Sequence, residues 1–244
     1  MQNNRSALAP LIAIIGCDGS GKSTVSEEIL KWVQDYGPAV AAHLGKQSGN
    51  IGRAIAKLPL IGNLLDKFIA RKTDSTRAQR DKKTPGVLIA LIIYAFSIRR
   101  LRRFKKMMAQ RKQGLIIVTD RYPQLEFPGA YDGTGLSITA PGNWFVRWLA
   151  RRERVMYEWM TSFKPDLVIR LNVDLDTACA RKPDHRRELL RDKIAITPQL
   201  TFNGAPIVEI DSSLALPGVL EQTKAAVAKT MTALGYSLKQ QLVN

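Results

Sequence analysis

The chain has 244 residues, 45% hydrophobic and 24% charged, which suits one sizeable α/β domain of ordinary globular composition and excludes a fibrous or disordered design. Its two cysteines, Cys17 and Cys179, show neither metal-ligand spacing nor a disulfide framework, so a reducing, cytoplasmic setting is expected. The net charge of +16 exceeds what a small-molecule enzyme needs and points to a polyanion: nucleic acid, acidic lipid headgroups or a phosphorylated substrate.

The first apolar run, LIAII (11–15), reads as a short buried strand. It leads straight into GCDGSGKST (16–24), and nothing around it resembles a secretory leader with its cleavage site. A helix follows over 23–36, then a further strand in PAVAAHL (38–44). Residues 45–86 alternate between basic and apolar character. Within them LPLIGNLLDKFIA (58–70) is amphipathic, and RKTDSTRAQRDKKTP (71–85) reads as a loop.

The next helix spans 86–112. Its opening VLIALIIYAF (87–96) is too short to cross a bilayer and reads as a core helix, with contact to an acidic membrane as the alternative. It continues into RRLRRFKKMMAQRK (99–112), eight cations in fourteen residues without an acid: a solvated face or a polyanion-binding one. GLIIVTD (114–120) is a strand. The helix over 143–162 carries the basic, aromatic WFVRWLARRERV (144–155). A strand at 166–173, a helix at 175–193, a strand at 206–211 and a helix at 215–234 complete the chain. Short apolar strands alternating with helices predict a central parallel sheet covered on both faces, a three-layer α/β/α sandwich.

Gly16-x4-Gly21-Lys22-Ser23 fits the P-loop pattern, in the required place between a strand and a helix. A polyphosphate must approach the main chain closely enough to take hydrogen bonds from successive N–H groups, and side chains at Gly16, Gly19 or Gly21 would obstruct it. Lys22 then reaches the β- and γ-phosphates, and Ser23 offers its hydroxyl to Mg²⁺. Asp120, ending its strand in TDRYP, is placed to hold the Mg²⁺ shell, and Arg121 beside it can clamp an anion. No guanine-reading NKxD sequence and no second nucleotide motif of a helicase is present.

Taken together, IIGCDGSGKST, the helix bearing Arg99, TDRYP and AYDGTG (130–135) resemble the thymidylate kinase group of nucleoside monophosphate kinases. The likeness extends loosely to PDLVIRLNVDLDTACAR (165–181) and VEIDSSLALPGVLEQ (208–222), and passes over about 45–86. The resemblance implies a single P-loop kinase domain over 1–244 with a mobile lid at 181–193. It implies ATP and Mg²⁺ as donor and cofactor. Gly16, Asp18, Gly19, Ser20, Gly21, Lys22, Ser23 and Thr24 would line the ATP, with Arg181 nearby; Ser23 and Asp120 would hold the metal. Asp18 would also face the acceptor, Arg99 and Arg121 would bind its phosphate, and Tyr131 would lie along its ring or sugar. Arg186, Arg187 or Arg191 would close over the transferred group. Members of the group are often homodimers.

The chain departs from that pattern on the acceptor side. Where the group has Arg-Glu-Pro-Gly-Gly, this sequence has HLGKQSGNIGR (43–53), without a carboxylate. dTMP is the acceptor the resemblance implies. A sugar or lipid-linked acceptor, handled by a cytoplasmic protein peripheral to the inner face of a membrane, is the alternative. An ATP-regulated nucleic-acid-binding module is the third reading. His43 and His185 have no partner legible in the sequence.

Overall fold

The computed structural model describes residues 8–45, 85–139 and 142–238. The expectations for 58–70 and 71–85 therefore lie outside the described residues, save Pro85. In chain order the elements are β1 (Leu11–Gly16), α1 (Lys22–Val33), β2 (Ala39–Ala42), α2 (Val87–Lys112), β3 (Ile116–Thr119), α3 (Trp144–Thr161) and β4 (Leu167–Asn172). After these come α4 (Leu175–Arg181), α5 (Arg187–Ile196), a 3-10 turn (Thr197–Gln199), β5 (Ile207–Asp211) and α6 (Leu216–Ala233). The helix expected over 175–193 is two helices: Pro183 lacks the N–H that an unbroken helix needs, and the chain turns between Arg181 and Arg187.

All five strands are parallel, in the order β2-β3-β1-β4-β5. Ile12 and Ile14 of β1 join Val25, Ile29 and Val33 of α1 and Val219, Val227 and Met231 of α6 in one apolar core. Leu11, Ala13 and Ile15 alternate to the opposite face and are equally buried, so the sheet is covered on both sides. This is a parallel α/β sandwich, with the P-loop pattern Gly16–Ser23 at the exit of its middle strand, β1. No described helix is long and apolar enough to cross a membrane.

The chain divides into two compact units. The described residues of Met1–Leu44, Arg103–Tyr122 and Thr161–Asn244 form the sheet unit; those of Gly45–Arg102 and Pro123–Met160 form the helical unit. In the sheet unit, Arg111 fixes the entry to β1. Its Nε donates to the Ala9 carbonyl at 2.6 Å, and its guanidinium meets Asp166 at 2.7 Å. Asp166 in turn accepts from the Leu11 N–H at 2.7 Å. In the helical unit, Ala90, Leu136, Val146, Leu149 and Ala150 form a second, smaller core.

Candidate phosphate-binding site

Gly16 closes β1 in register with Leu171 of β4, and the chain turns through Cys17–Gly21 into α1. The turn has room for glycine only where it matters. Gly19 has φ +88°, and a Cβ there would lie 2.9 Å from the Ala178 carbonyl oxygen. Gly21, at φ +78°, caps α1 in the left-handed conformation that L side chains resist. No side chain caps α1, and its first turn holds no acid, so its leading amides keep their positive end for an external anion. Ser20 is buried with an Oγ that lacks a hydrogen-bond partner. Ser23 and Thr24, on the first turn of α1, are exposed.

Lys22 folds back over this turn. Its ammonium donates to the Cys17 carbonyl at 3.0 Å and lies 3.6 Å from Asp18. Burial depresses the Lys22 pKa, and Asp18 offsets part of that. Burial pushes the Cys17 thiol up, so it is a filler of the turn rather than a nucleophile.

Asp18 is the electrostatic centre. Lys193 of α5 donates to its Oδ2, His185 Nε2 stands 3.8 Å away, and Arg121 is 3.9 Å from Oδ1. Burial works to raise its pKa, but Lys193, Lys22 and Arg121 overcome it and hold the carboxyl well below the usual carboxylate range. Four basic side chains from separate segments thus converge on one anion at the mouth of the P-loop. Lys193 and His185 were not among the sequence-derived site residues. Lys193 had a signal, as the last residue of the lid expected at 181–193; His185 had none beyond lying there.

Asp120 follows β3 and His43 follows β2, neighbours because Ala42 and Thr119 are in register. His43 Nδ1 lies 2.7 Å from Asp120 Oδ2, a partner the sequence did not reveal. Asp120 Oδ1 is buried and accepts no hydrogen bond, a spare hard oxygen of the kind Mg²⁺ takes. Asp120 and the Ser23 hydroxyl therefore fit a metal-bound phosphate.

The break between α4 and α5 carries the remaining candidates. Arg181 donates to the Ser212 carbonyl at 2.9 Å and the Gly19 carbonyl at 3.3 Å, which sets it against the P-loop. Arg187 is held by Asp176 at 2.7 Å, and Arg186 stands 4.0 Å from Glu188. Arg191 is exposed on α5. The described structure thus brings Arg181 and Lys193, but not Arg187, onto the loop.

In the helical unit, Arg99 is half-buried and Tyr131 adopts φ 43°. The fully buried arginine is the adjacent Arg100. It donates to the Asp132 carbonyl at 2.6 Å, meets the Asp132 carboxylate, and reaches the Tyr157 hydroxyl at 3.0 Å. Burial pushes the Tyr157 phenol up to about 12. Glu153, also fully buried, accepts from Ser97 Oγ, from the Gly135 N–H at 2.9 Å and from the Leu136 N–H at 2.8 Å. Gln124 bonds Phe127 through both backbone groups. The AYDGTG segment is therefore fixed by buried polar side chains on α2 and α3.

Against known proteins, the chain is 42% identical over 218 residues to "Uncharacterized ATP-binding protein YghS" of Escherichia coli strain K12, covering 89% of this chain and 92% of that protein. It is 39% identical over 219 residues to "Uncharacterized ATP-binding protein YghR" of the same strain, covering 89% and 86%. The chain belongs to the YghS–YghR family. No family model matches it. Among solved structures, deoxyadenosine kinase from M. mycoides with bound dCTP aligns with a TM-score of 0.47 at 16% identity, covering 89% of this chain and 98% of that one. The family's shared length takes in the P-loop unit and the helical unit alike, so both belong to one inherited design.

Proposed function

We propose that this chain is an ATP-dependent phosphotransferase that moves the γ-phosphoryl of Mg·ATP to a small acceptor, a nucleoside monophosphate of the dTMP kind. The observation that carries the reading is the exit of β1: an uncapped helix start, left-handed Gly19 and Gly21, and the Lys22 ammonium folded over the turn. The description of YghS and YghR as ATP-binding supports the donor.

Bound Mg²⁺, held by Ser23 and Asp120, would supply charge neutralisation between the phosphates. The rest falls to the chain's own groups. Leading amides of α1 and the loop take the phosphate oxygens, and Lys22 leaves the Cys17 carbonyl for them. Arg121, already beside Asp18, is placed to clamp an anionic acceptor next to the loop. Lys193 is placed to follow the transferred group, because an incoming phosphate competes with Asp18 for its ammonium. Catalysis here is alignment and charge neutralisation, since phosphoryl transfer asks for little covalent help.

The test is ATP consumption by the full chain against nucleoside monophosphates, dTMP first, and a panel of sugars, with products identified by mass. ADP with a nucleoside diphosphate is the expected pair. Phosphorylation of a sugar instead would overturn the acceptor and keep the donor. No nucleotide binding at millimolar Mg·ATP would overturn both.

A further inference from the structure

Helix α3 belongs, but for its last residue, to the helical unit, and its two faces differ sharply. Val146, Leu149, Ala150, Glu153, Tyr157 and Met160 are buried. On the opposite side Trp144 is 72% exposed, Val155 61%, Trp148 46% and Trp159 39%. At about 100° per residue these four fall within an arc of about 60°. Arg147, Arg151, Arg152 and Arg154, all exposed, border the arc on its two sides. The Arg152 guanidinium lies 5.6 Å from the Trp148 ring centre, and Phe145 stacks on Trp148 at 5.8 Å. Of these cations only Arg154 has an acidic neighbour on the helix, Glu158 at 2.8 Å. Folding normally hides much of such an apolar surface, and here three tryptophans and a valine stand exposed together on one face.

We infer that the Trp144–Trp159 face of α3 docks on an anionic phospholipid surface. Tryptophan rings settle at the headgroup level with an apolar body inward, and arginines beside them meet lipid phosphates. No described helix can span a bilayer, so α3 lies along the surface rather than through it. Charge decides against a second copy of the chain: a two-fold contact through this face would bring the four arginines of each copy together. Aliphatic exposure decides against single-stranded nucleic acid. Val155, together with exposed Val87, Leu88, Leu91 and Ile138 in the same unit, gains nothing from phosphates and bases but gains from acyl chains. The inference stands apart from the phosphoryl-transfer reading, since none of these residues belongs to the P-loop.

Three of the chain's four tryptophans are on this helix, so intrinsic fluorescence reports it. Titrating the full chain with phosphatidylglycerol–phosphatidylcholine vesicles should shift emission to the blue. Sedimentation with the vesicles should weaken steeply as salt rises. Phosphatidylcholine alone should bind far less. Trp144→Ala with Trp148→Ala should lower the partition coefficient about tenfold or more, and Arg151→Glu with Arg152→Glu should do so on anionic vesicles only. Circular dichroism and vesicle-free ATP consumption of both variants should match the parent. Absence of binding by the parent, or equal binding by the variants, would overturn the inference. So would a parent self-association that the tryptophan variant abolishes, or oligonucleotide binding without vesicle binding.

Discussion

The two units of this molecule bury charge in opposite ways. In the sheet unit, Asp18 stays 20% exposed at the mouth of the P-loop and is ringed by Lys22, Lys193, Arg121 and His185 from separate segments. In the helical unit, Asp132 and Glu153 each answer partners sealed from water: Arg100 for the first, Ser97 and two backbone amides for the second. The first arrangement is open to exchange, because any stronger anion competes for the same cations. The second is not, because removing one partner strands the other without solvent. A surplus of cations around one accessible carboxylate leaves positive charge for an incoming anion, whereas a matched buried set holds only itself.

The sharpest way to break that comparison is Lys22→Ala. It should lower phosphoryl transfer by about 10³-fold or more while the fold survives by circular dichroism, because the buried ammonium bonds the turn and Asp18 rather than the apolar core. Retained turnover would remove the sheet unit's claim to be the site. Arg100→Met should do the reverse. It leaves the Asp132 carboxylate buried beside Tyr157 and should cost about 3–5 kcal/mol, read as a lower urea midpoint. Adding Asp132→Asn should recover part of the loss; if neither change moves the midpoint, the pair does not hold the AYDGTG segment.

The sheet was legible from periodicity: all five runs are strands, and β1 and β3, buried along their whole length, show the continuous burial of a parallel strand covered on both faces. The P-loop was legible for the same kind of reason, since few residue types satisfy a turn that presents bare amides. The polybasic run of α2 was less so. Read as one cationic face, it conceals two cations with inward duties, Arg100 and Arg111, which recur at helical spacing with the buried Ser97, Phe104 and Met107. That phase separates Arg100 from Arg99, and charge alone does not. The His43–Asp120 and Lys193–Asp18 pairs join segments 77 and 175 residues apart, and only strand order and helix placement bring them together.

Arg121→Ala sharpens the site further. If Arg121 clamps the acceptor, the acceptor's KM should rise and kcat fall, about 10²-fold in kcat/KM, with the ATP KM unchanged. A change confined to ATP would place Arg121 on the donor side.

The smallest effect expected is in acid. Asp18 is held below the ordinary carboxylate pKa in the folded chain, so the folded state binds its proton less readily than the unfolded one. Its contribution is complete above about pH 4, the unfolded carboxylate value, and drains away as pH falls through and below that point. Asp18→Asn should therefore flatten the stability profile between about pH 4 and pH 2, while its urea midpoint at pH 7 falls below the parent's. A parent and an Asp18→Asn variant with parallel acid profiles would mean that the four cations give the carboxylate no net stabilisation, and that the cluster waits for a phosphate rather than resting on Asp18.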